Sequence, residues 1–138
     1  MELLSNDDFL KPITGLREAL ENLKKEKTII LATNSDVQDT EAILNNLELR
    51  DLFQDIYTSC NKPEDSYDLF NGIMDKYNCS PANLLSIGDN YLNEIGPVIK
   101  LGGRAVLIDR ENAFSQQDIS GYVIDSIEEL IPIFKQII

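Results

Sequence analysis

Short apolar runs alternate with amphipathic stretches along this chain, and that alternation is what most constrains its fold. The runs at residues 28–33, 84–87 and 104–108 are nearly continuous in apolar character and partly β-branched. Such runs are typical of strands buried on both faces, as in a parallel sheet. Weaker strand candidates lie at residues 56–58 and 122–124.

Helical periodicity separates these runs. Leu16, Leu20 and Leu23 fall on one helix face, and a second stretch repeats its large apolar residues at Tyr67, Phe70, Met74 and Tyr77. A glycine pair at 102–103 predicts a helix end just before a strand. The alternation predicts an α/β fold, a mainly parallel, Rossmann-like sheet with helices on both faces.

Two sequence patterns predict where helices begin. Ser35 with Gln38 matches a capping box directly after the first strand, and Ser126 with Glu129 matches one before the last helix. Pro132 would then lie inside that last helix and predicts a kink.

The length and net charge of the chain limit the classes of protein to which it can belong. Its 138 residues predict a single domain over residues 1–138, in which residues 1–11 form a weakly structured lead-in. The net charge of −12 argues against nucleic acid and anionic membrane as partners. The apolar runs are strand-sized, and the first residues lack the pattern of a signal peptide.

The cysteine and histidine content narrows the chemistry further. Cys60 and Cys79 form neither a disulfide framework nor a zinc pattern, so we expect a reduced, cytoplasmic location. The chain has no histidine. A histidine base and imidazole metal ligands are therefore excluded.

Two loops that follow strand ends carry groups suited to an anion. Thr33, Asn34 and Ser35 place a hydroxyl, an amide and backbone N–H groups where a helix begins, which suits either an anion site or a plain helix cap. Lys62, beside Pro63, either offsets a phosphate charge or is an ordinary solvated lysine.

A third loop carries two acids. Asp89 follows the strand that ends near Gly88, and Glu94 lies five residues further on. Both carboxylates suit one hard cation, since such cations take oxygen ligands. The alternative is that Asp89 caps the next helix and Glu94 improves its first turn.

These loops occur in an order that resembles the haloacid dehalogenase-like (HAD) superfamily of hydrolases, especially its phosphatase branch. Residues 29–35 resemble the second motif of that family, residues 62–64 the third, and residues 87–89 with Glu94 the fourth. The resemblance covers residues 12–138 and is specific mainly as an ordered set.

The resemblance implies a role for each loop residue. Thr33, Lys62 and Asp89 would be catalytic, and Thr33, Asn34 and Lys62 would bind phosphate. Asp89 and Glu94 would hold Mg²⁺, and the partner would be a small phosphorylated molecule. We expect Thr33, Lys62 and Asp89 to gather at the carboxyl edge of the sheet.

The chain departs from the family at its first motif, an Asp-x-Asp whose first aspartate is the nucleophile. Asn6-Asp7-Asp8 is the nearest candidate, but it puts Asn6 at the nucleophile position, follows a poor strand and lies too close to Thr33. Glu94 replaces the more usual aspartate, and no cap domain fits between Thr33 and residue 62. The strand that normally carries the nucleophile lies between those ending in Thr33 and Asp89. The loss of this strand predicts one of three arrangements between its two neighbours. They leave a gap, they pair directly, or the position between them is filled by the N-terminal segment or another chain.

Three interpretations follow. The first is a Mg²⁺-dependent phosphate-monoester phosphatase, for which the isolated chain lacks the nucleophile and binds Mg²⁺ weakly. The second is a pseudoenzyme, a HAD-like scaffold that binds a phosphate ligand or a protein partner without catalysis. The third is one fragment of a longer or split phosphatase. Neither the substrate nor the oligomeric state is indicated by the sequence.

Overall fold

The computed structural model describes residues 15–109, 121–124 and 129–137. Strands and helices alternate through these ranges. The strands are β1 (Ile30–Ala32), β2 (Asp55–Tyr57), β3 (Leu85–Gly88), β4 (Arg104–Ile108) and β5 (Gly121–Ile124), and the helices are α1 (Leu16–Lys24), α2 (Val37–Leu47), α3 (Ser66–Lys76), α4 (Gly96–Lys100) and α5 (Leu130–Ile137). A π-helical turn (Tyr91–Ile95) precedes α4, and 3₁₀ turns lie at Arg50–Leu52 and Pro81–Asn83.

Every strand pairing is parallel, which confirms the predicted fold class. β1 pairs with β2, and β3, β4 and β5 form a second ladder in that order. Among the described residues no ladder joins β1 to β3, so the prediction that residues 28–33, 84–88 and 104–108 share one sheet stays a prediction. Direct pairing of β1 with β3, one of the predicted arrangements, is therefore excluded within the described residues.

Helices cover both faces of the strands, as predicted. Leu31 and Val106 pack in one cluster with Leu20 of α1 and Phe134 of α5. On the other face, Ile30 packs against a cluster that contains Phe70 of α3 and Val98 of α4. Successive strand side chains point to opposite faces, so each apolar run is buried by two layers of helices.

The helix ends correct two predictions. α2 begins one residue later than a Ser35 cap requires, because Asp36 is the N-cap and its carboxylate accepts a hydrogen bond from Asp39 N–H at 2.8 Å. Pro132 is the third residue of α5. It therefore lies in the first turn, where no backbone N–H is needed, so the predicted interior position is wrong, while the kink stays a prediction. Ser126 lies outside the described residues.

The predicted end of α4 is confirmed. The helix stops at Lys100, and Gly102 follows with φ of 97°, a left-handed conformation that favours glycine. None of the described helices is long and apolar enough to cross a membrane.

Candidate active site at the carboxyl edge of the sheet

Thr33 and Asp89 directly follow the last residues of β1 and β3. Thr33 is fully buried, its N–H donates to Tyr57 O at 2.9 Å, and its carbonyl accepts from Cys60 N–H at 3.1 Å. Its Oγ1 accepts a hydrogen bond from Ser35 N–H at 3.1 Å. The strand ladder and the following turn therefore fix the threonine at this edge.

The Asn34 side chain forms two hydrogen bonds with the backbone of Lys62. Its Nδ2 donates to Lys62 O, and its Oδ1 accepts from Lys62 N–H, both at 2.9 Å. The Lys62–Pro63 peptide bond is cis, and Asn61 before it has a positive φ of 56°. The structure thus shows a positioning role for the Asn34 side chain, and its role in phosphate binding stays a prediction.

The Lys62 side chain is fully buried, so the surface-lysine alternative is wrong. Its Nζ donates to Ala32 O and to Glu94 Oε1, both at 2.9 Å. The ammonium group therefore joins the end of β1 to the turn that follows β3. A buried cation requires such partners, since desolvation of an unpaired charge costs several kcal/mol.

Glu94 lies over Gly88. Its side chain is fully buried, and Oε2 accepts a hydrogen bond from Asn90 N–H at 3.2 Å. A Cβ at position 88 would lie 2.6 Å from Glu94 Oε2. The approach of this carboxylate to the strand therefore requires glycine at the end of β3.

Asp89 is half-buried at the tip of β3. The residue that caps the following turn is Asn90, whose Oδ1 accepts from Asn93 N–H at 3.1 Å. The alternative interpretation, in which Asp89 is the cap, is therefore wrong. Asp89 follows the end of β3, as Thr33 follows the end of β1, and the gathering of Thr33, Lys62 and Asp89 around one ligand stays a prediction.

The predicted Mg²⁺ ligands differ in how they are placed. Glu94 is engaged by Lys62, whereas Asp89 lies at the strand end. Through the described ranges, no group of three or more acidic, histidine or cysteine side chains converges. The carboxylate donors suit Mg²⁺ in type, and two of them would leave most of its six positions to water and substrate oxygens. The metal-binding roles of Asp89 and Glu94 stay predictions.

Two supporting residues were not predicted from the sequence. Ser66 is buried at the start of α3, and its Oγ donates to Asn93 O at 2.8 Å, which ties the π-helical turn to that helix. Ser86, within β3, is buried, and its hydroxyl has no hydrogen-bond partner among the residues that the structure describes. For Ser86, the only signal in the sequence was that a polar residue lies inside an apolar run.

Comparisons with known proteins bear on the family and the fold of this chain. The sequence profile of the haloacid dehalogenase-like hydrolases matches residues 2–99. Similar structures include the magnesium-bound HAD-hydrolase YfnB from Bacillus subtilis (23% identity, 88% of this chain, TM-score 0.70). Others are a HAD phosphatase from Thermococcus onnurineus (20%, 88%, 0.70) and a 2-haloacid dehalogenase from Pseudomonas syringae pv. Tomato (16%, 93%, 0.70).

At these identities the structures establish a shared fold. The chain spans 55% of the Bacillus protein, 57% of the Thermococcus protein and 55% of the Pseudomonas protein. No curated protein matches the chain in sequence.

Proposed function

Because this chain belongs to the haloacid dehalogenase-like hydrolase family, we propose that it carries the charge-stabilising part of a Mg²⁺-dependent phosphate-monoester phosphatase site. We further propose that the isolated chain does not turn over phosphate monoesters. Its ligand would be a small phosphorylated molecule, and residues 1–138 would act as one domain.

The observation that carries this proposal is the buried ammonium group of Lys62 at the carboxyl edge. It lies at hydrogen-bond distance from the carbonyl of Ala32, the residue before Thr33. A preorganised cation in a water-excluded site stabilises developing negative charge far better than a solvated one. Such a group suits phosphoryl transfer, in which charge spreads over the transferred oxygens.

The other edge residues complete this part of the site. The Thr33 hydroxyl would hydrogen-bond a phosphoryl oxygen, and Lys62 would offset its charge. Asp89, with Glu94, would hold Mg²⁺, which when bound would neutralise further phosphoryl charge.

Inactivity of the isolated chain is proposed because covalent phosphoryl transfer requires a carboxylate in line with phosphorus. The resemblance assigns that carboxylate to an aspartate after a buried strand. The nearest sequence candidate is Asn6-Asp7-Asp8, which lies outside the described residues. An amide at position 6 would be a poor nucleophile.

The test is an assay of the purified chain with an aryl phosphate and Mg²⁺. We expect no turnover above the buffer rate. Turnover that disappears in Asp7→Asn or Asp8→Asn would contradict the proposed inactivity and establish residues 6–8 as a working motif. Turnover that survives both changes but is lost in Asp89→Asn would equally contradict it, and would place the nucleophile elsewhere.

The ion pair between Lys62 and Glu94 favours a second candidate, a non-catalytic phosphate-binding domain, because a lysine already neutralised by Glu94 offsets less of the charge that develops during phosphoryl transfer. Calorimetric titration with inorganic phosphate separates the two. Tight binding without Mg²⁺ that is unchanged in Asp89→Asn would favour the binding domain, because the phosphatase site uses Asp89 through the metal.

A further inference from the structure

Three large apolar side chains are exposed in the described part of the chain, and each lies after a strand. They are Val37 (58% exposed), Tyr67 (40%) and Leu92 (68%). Val37 is the first residue of α2, Tyr67 is the second residue of α3, and Leu92 is the second residue of the π-helical turn. Single exposed apolar side chains are normal on a protein surface, whereas several at one place indicate an interaction site.

The turns that carry Tyr67 and Leu92 are in direct contact. Ser66 Oγ donates a hydrogen bond to Asn93 O at 2.8 Å, and these two residues are the sequence neighbours of Tyr67 and Leu92. The first turn of α3 and the π-helical turn therefore present their exposed apolar side chains from adjoining stretches of backbone.

The start of α2, which carries Val37, is joined to the same region. Ser59 N–H donates to Ser35 O at 2.8 Å, and the Asn34 side chain bonds to the backbone of Lys62. Both bonds connect the segment before α2 to the loop that leads into α3. We name this region the loop edge, and it consists of residues 34–41, 59–68 and 89–95.

The loop edge is strongly acidic. It contains a single basic residue, Lys62, whose buried ammonium group is paired with Glu94. Its acidic residues are Asp36, Asp39, Glu41, Glu64, Asp65, Asp68, Asp89 and Glu94. Those at positions 36, 39, 64, 65 and 68 are exposed. Within the loop edge, all of which the structure describes, no exposed basic side chain offsets their charge.

Helix stability explains some of these acids but not the apolar residues beside them. Carboxylates near a helix N-terminus interact favourably with the helix dipole, and Asp36 is the N-cap of α2. Val37 has no such explanation, because valine is a poorer helix former than alanine and an exposed side chain gains nothing from burial. The exposed side chain of Leu92 likewise stabilises no core. The combination favours a role in binding.

Apolar side chains among uncompensated carboxylates select the charge of a partner. Nucleic acid and anionic membrane would be repelled. A second copy of the chain would bring the same net charge of −12 and the same acidic surface, so self-association at this edge is also opposed. A polypeptide with lysine or arginine beside apolar residues meets both requirements, because its cations complement the carboxylates while its apolar side chains cover those of the loop edge.

We propose that the loop edge docks a basic polypeptide segment of another protein, in which lysine or arginine residues flank apolar ones. The apolar side chains of that segment would contact Val37, Tyr67 and Leu92, and its cations would lie against the exposed carboxylates. This docking needs no phosphoryl chemistry, so it is tested separately from the proposed function.

The experiment is calorimetric titration of the whole chain with a synthetic peptide in which lysines flank leucine and phenylalanine. One control peptide replaces the lysines with glutamine, and a second replaces the apolar residues with serine. We expect both controls to bind at least about tenfold more weakly, because each lacks one half of the interaction. Raising NaCl from about 0.1 M to about 1 M should weaken binding of the lysine peptide, because the Debye length falls from about 10 Å to about 3 Å.

Variants of the chain locate the binding surface. Val37→Thr combined with Leu92→Gln should weaken binding by about tenfold, because two apolar contacts are lost. Asp36→Asn combined with Asp68→Asn should weaken binding and reduce its dependence on salt, and asparagine at position 36 keeps the helix cap. Asp75→Asn, an exposed change near the other end of α3, is the matched control and should leave binding unchanged. All of these side chains are exposed, so the fold should be kept, which the thermal unfolding midpoint of each variant checks.

Four outcomes would overturn the proposal. The first is equal binding of all three peptides, and the second is binding to the double variants that equals binding to the unchanged chain. The third is self-association of the chain that disappears in the Val37→Thr, Leu92→Gln variant, because the occupant would then be a second copy. The fourth is binding of the chain to neutral phosphatidylcholine vesicles that disappears in the same variant, because the apolar residues would then serve a lipid surface.

Discussion

Lys62 and Glu94 form an ion pair with no exposure to water, on loops that are 32 residues apart in sequence. Replacing such pairs with well-packed apolar residues is often neutral or stabilising, so stability alone does not explain them. The position of this pair at the carboxyl edge, where parallel α/β folds bind ligands, favours a functional explanation.

Sequence reasoning located these two residues but not their pairing. Lys62 was marked by its place in an ordered set of motifs, and Glu94 by its spacing from Asp89. Most lysines are solvated, so its burial could not be predicted from composition. The pairing depends on the hydrogen bonds between the Asn34 side chain and the Lys62 backbone, and on the positive φ of Asn61. The first is a long-range contact and the second a backbone conformation, and no local sequence pattern encodes either.

Gly88→Ala should destabilise the chain by about 1–3 kcal/mol, because the new methyl group would lie 2.6 Å from Glu94 Oε2. Gly72→Ala is the matched control. Position 72 is exposed within α3, and a methyl group added there would meet no atom within 4 Å, so this change should stabilise by about 0.5–1 kcal/mol. Urea unfolding of both variants provides the measurement. Equal stability of the two variants would contradict the close packing described for Glu94.

At the level of elements, the apolar runs predicted every described strand, with matching bounds for β4 (Arg104–Ile108) and different bounds for the other four. β1 covers only Ile30–Ala32 of the run at 28–33, because its partner β2 contributes three residues to the ladder. The π-helical turn was not predicted, since it is set by the burial of Glu94 and by the contact between Ser66 and Asn93. Tertiary contacts, rather than local propensity, determine these bounds.

Asp55 links β2 to α3 and should give the stability of the chain a dependence on pH. Its Oδ2 accepts hydrogen bonds from Lys76 Nζ and Tyr77 Oη, both at 2.5 Å. The bond from Lys76, and then that from Tyr77, lowers the pKa of Asp55 below 3.8. This contribution is therefore complete above about pH 4 and is lost as pH falls through the lowered pKa.

Tyr77 supplies the alkaline counterpart of this dependence. Its hydrogen bond to Asp55 raises the pKa of the phenol above 10.0. The stabilisation is therefore present below pH 10 and is lost as pH rises through the raised pKa. Asp55→Asn should therefore reduce the pH dependence of stability on both the acid and the alkaline side. Urea unfolding at a series of pH values measures this. Asp75→Asn, an exposed change in the same helix, is the control, and a profile of Asp55→Asn that matches the unchanged chain would contradict this account.

At the scale of the whole molecule, one large cluster of the described core spans both ladders. Leu31 of β1 and Ile87 of β3 belong to it, together with Leu44 of α2 and Phe134 of α5. The helical layer therefore joins two groups of strands between which no backbone ladder is described. The periodicity of the helices predicted this layer, whereas the separation of the ladders depends on which strand lies next to β1 and is not encoded in any single run.

Charge acts on the molecule as a whole, because 24 acidic residues face 12 basic ones. Self-repulsion at this net charge should lower stability at low ionic strength. Raising NaCl from about 10 mM to about 150 mM shortens the Debye length from about 30 Å to about 8 Å. We therefore expect the thermal unfolding midpoint to rise, and sucrose at matched osmolality serves as the uncharged control.

Comparing MgCl₂ with NaCl at equal ionic strength distinguishes charge screening from Mg²⁺ binding at a specific site. With Asp89 and Glu94 as its side-chain ligands, we expect affinity on the order of millimolar or weaker, because Mg²⁺ dehydrates reluctantly. At a concentration equal to its Kd, a ligand stabilises by only about 0.4 kcal/mol. MgCl₂ at about 1 mM should thus match NaCl of equal ionic strength to within that amount. A larger rise in the midpoint that disappears in Asp89→Asn would contradict the expected weakness, because it would require a site that these carboxylates already complete without substrate.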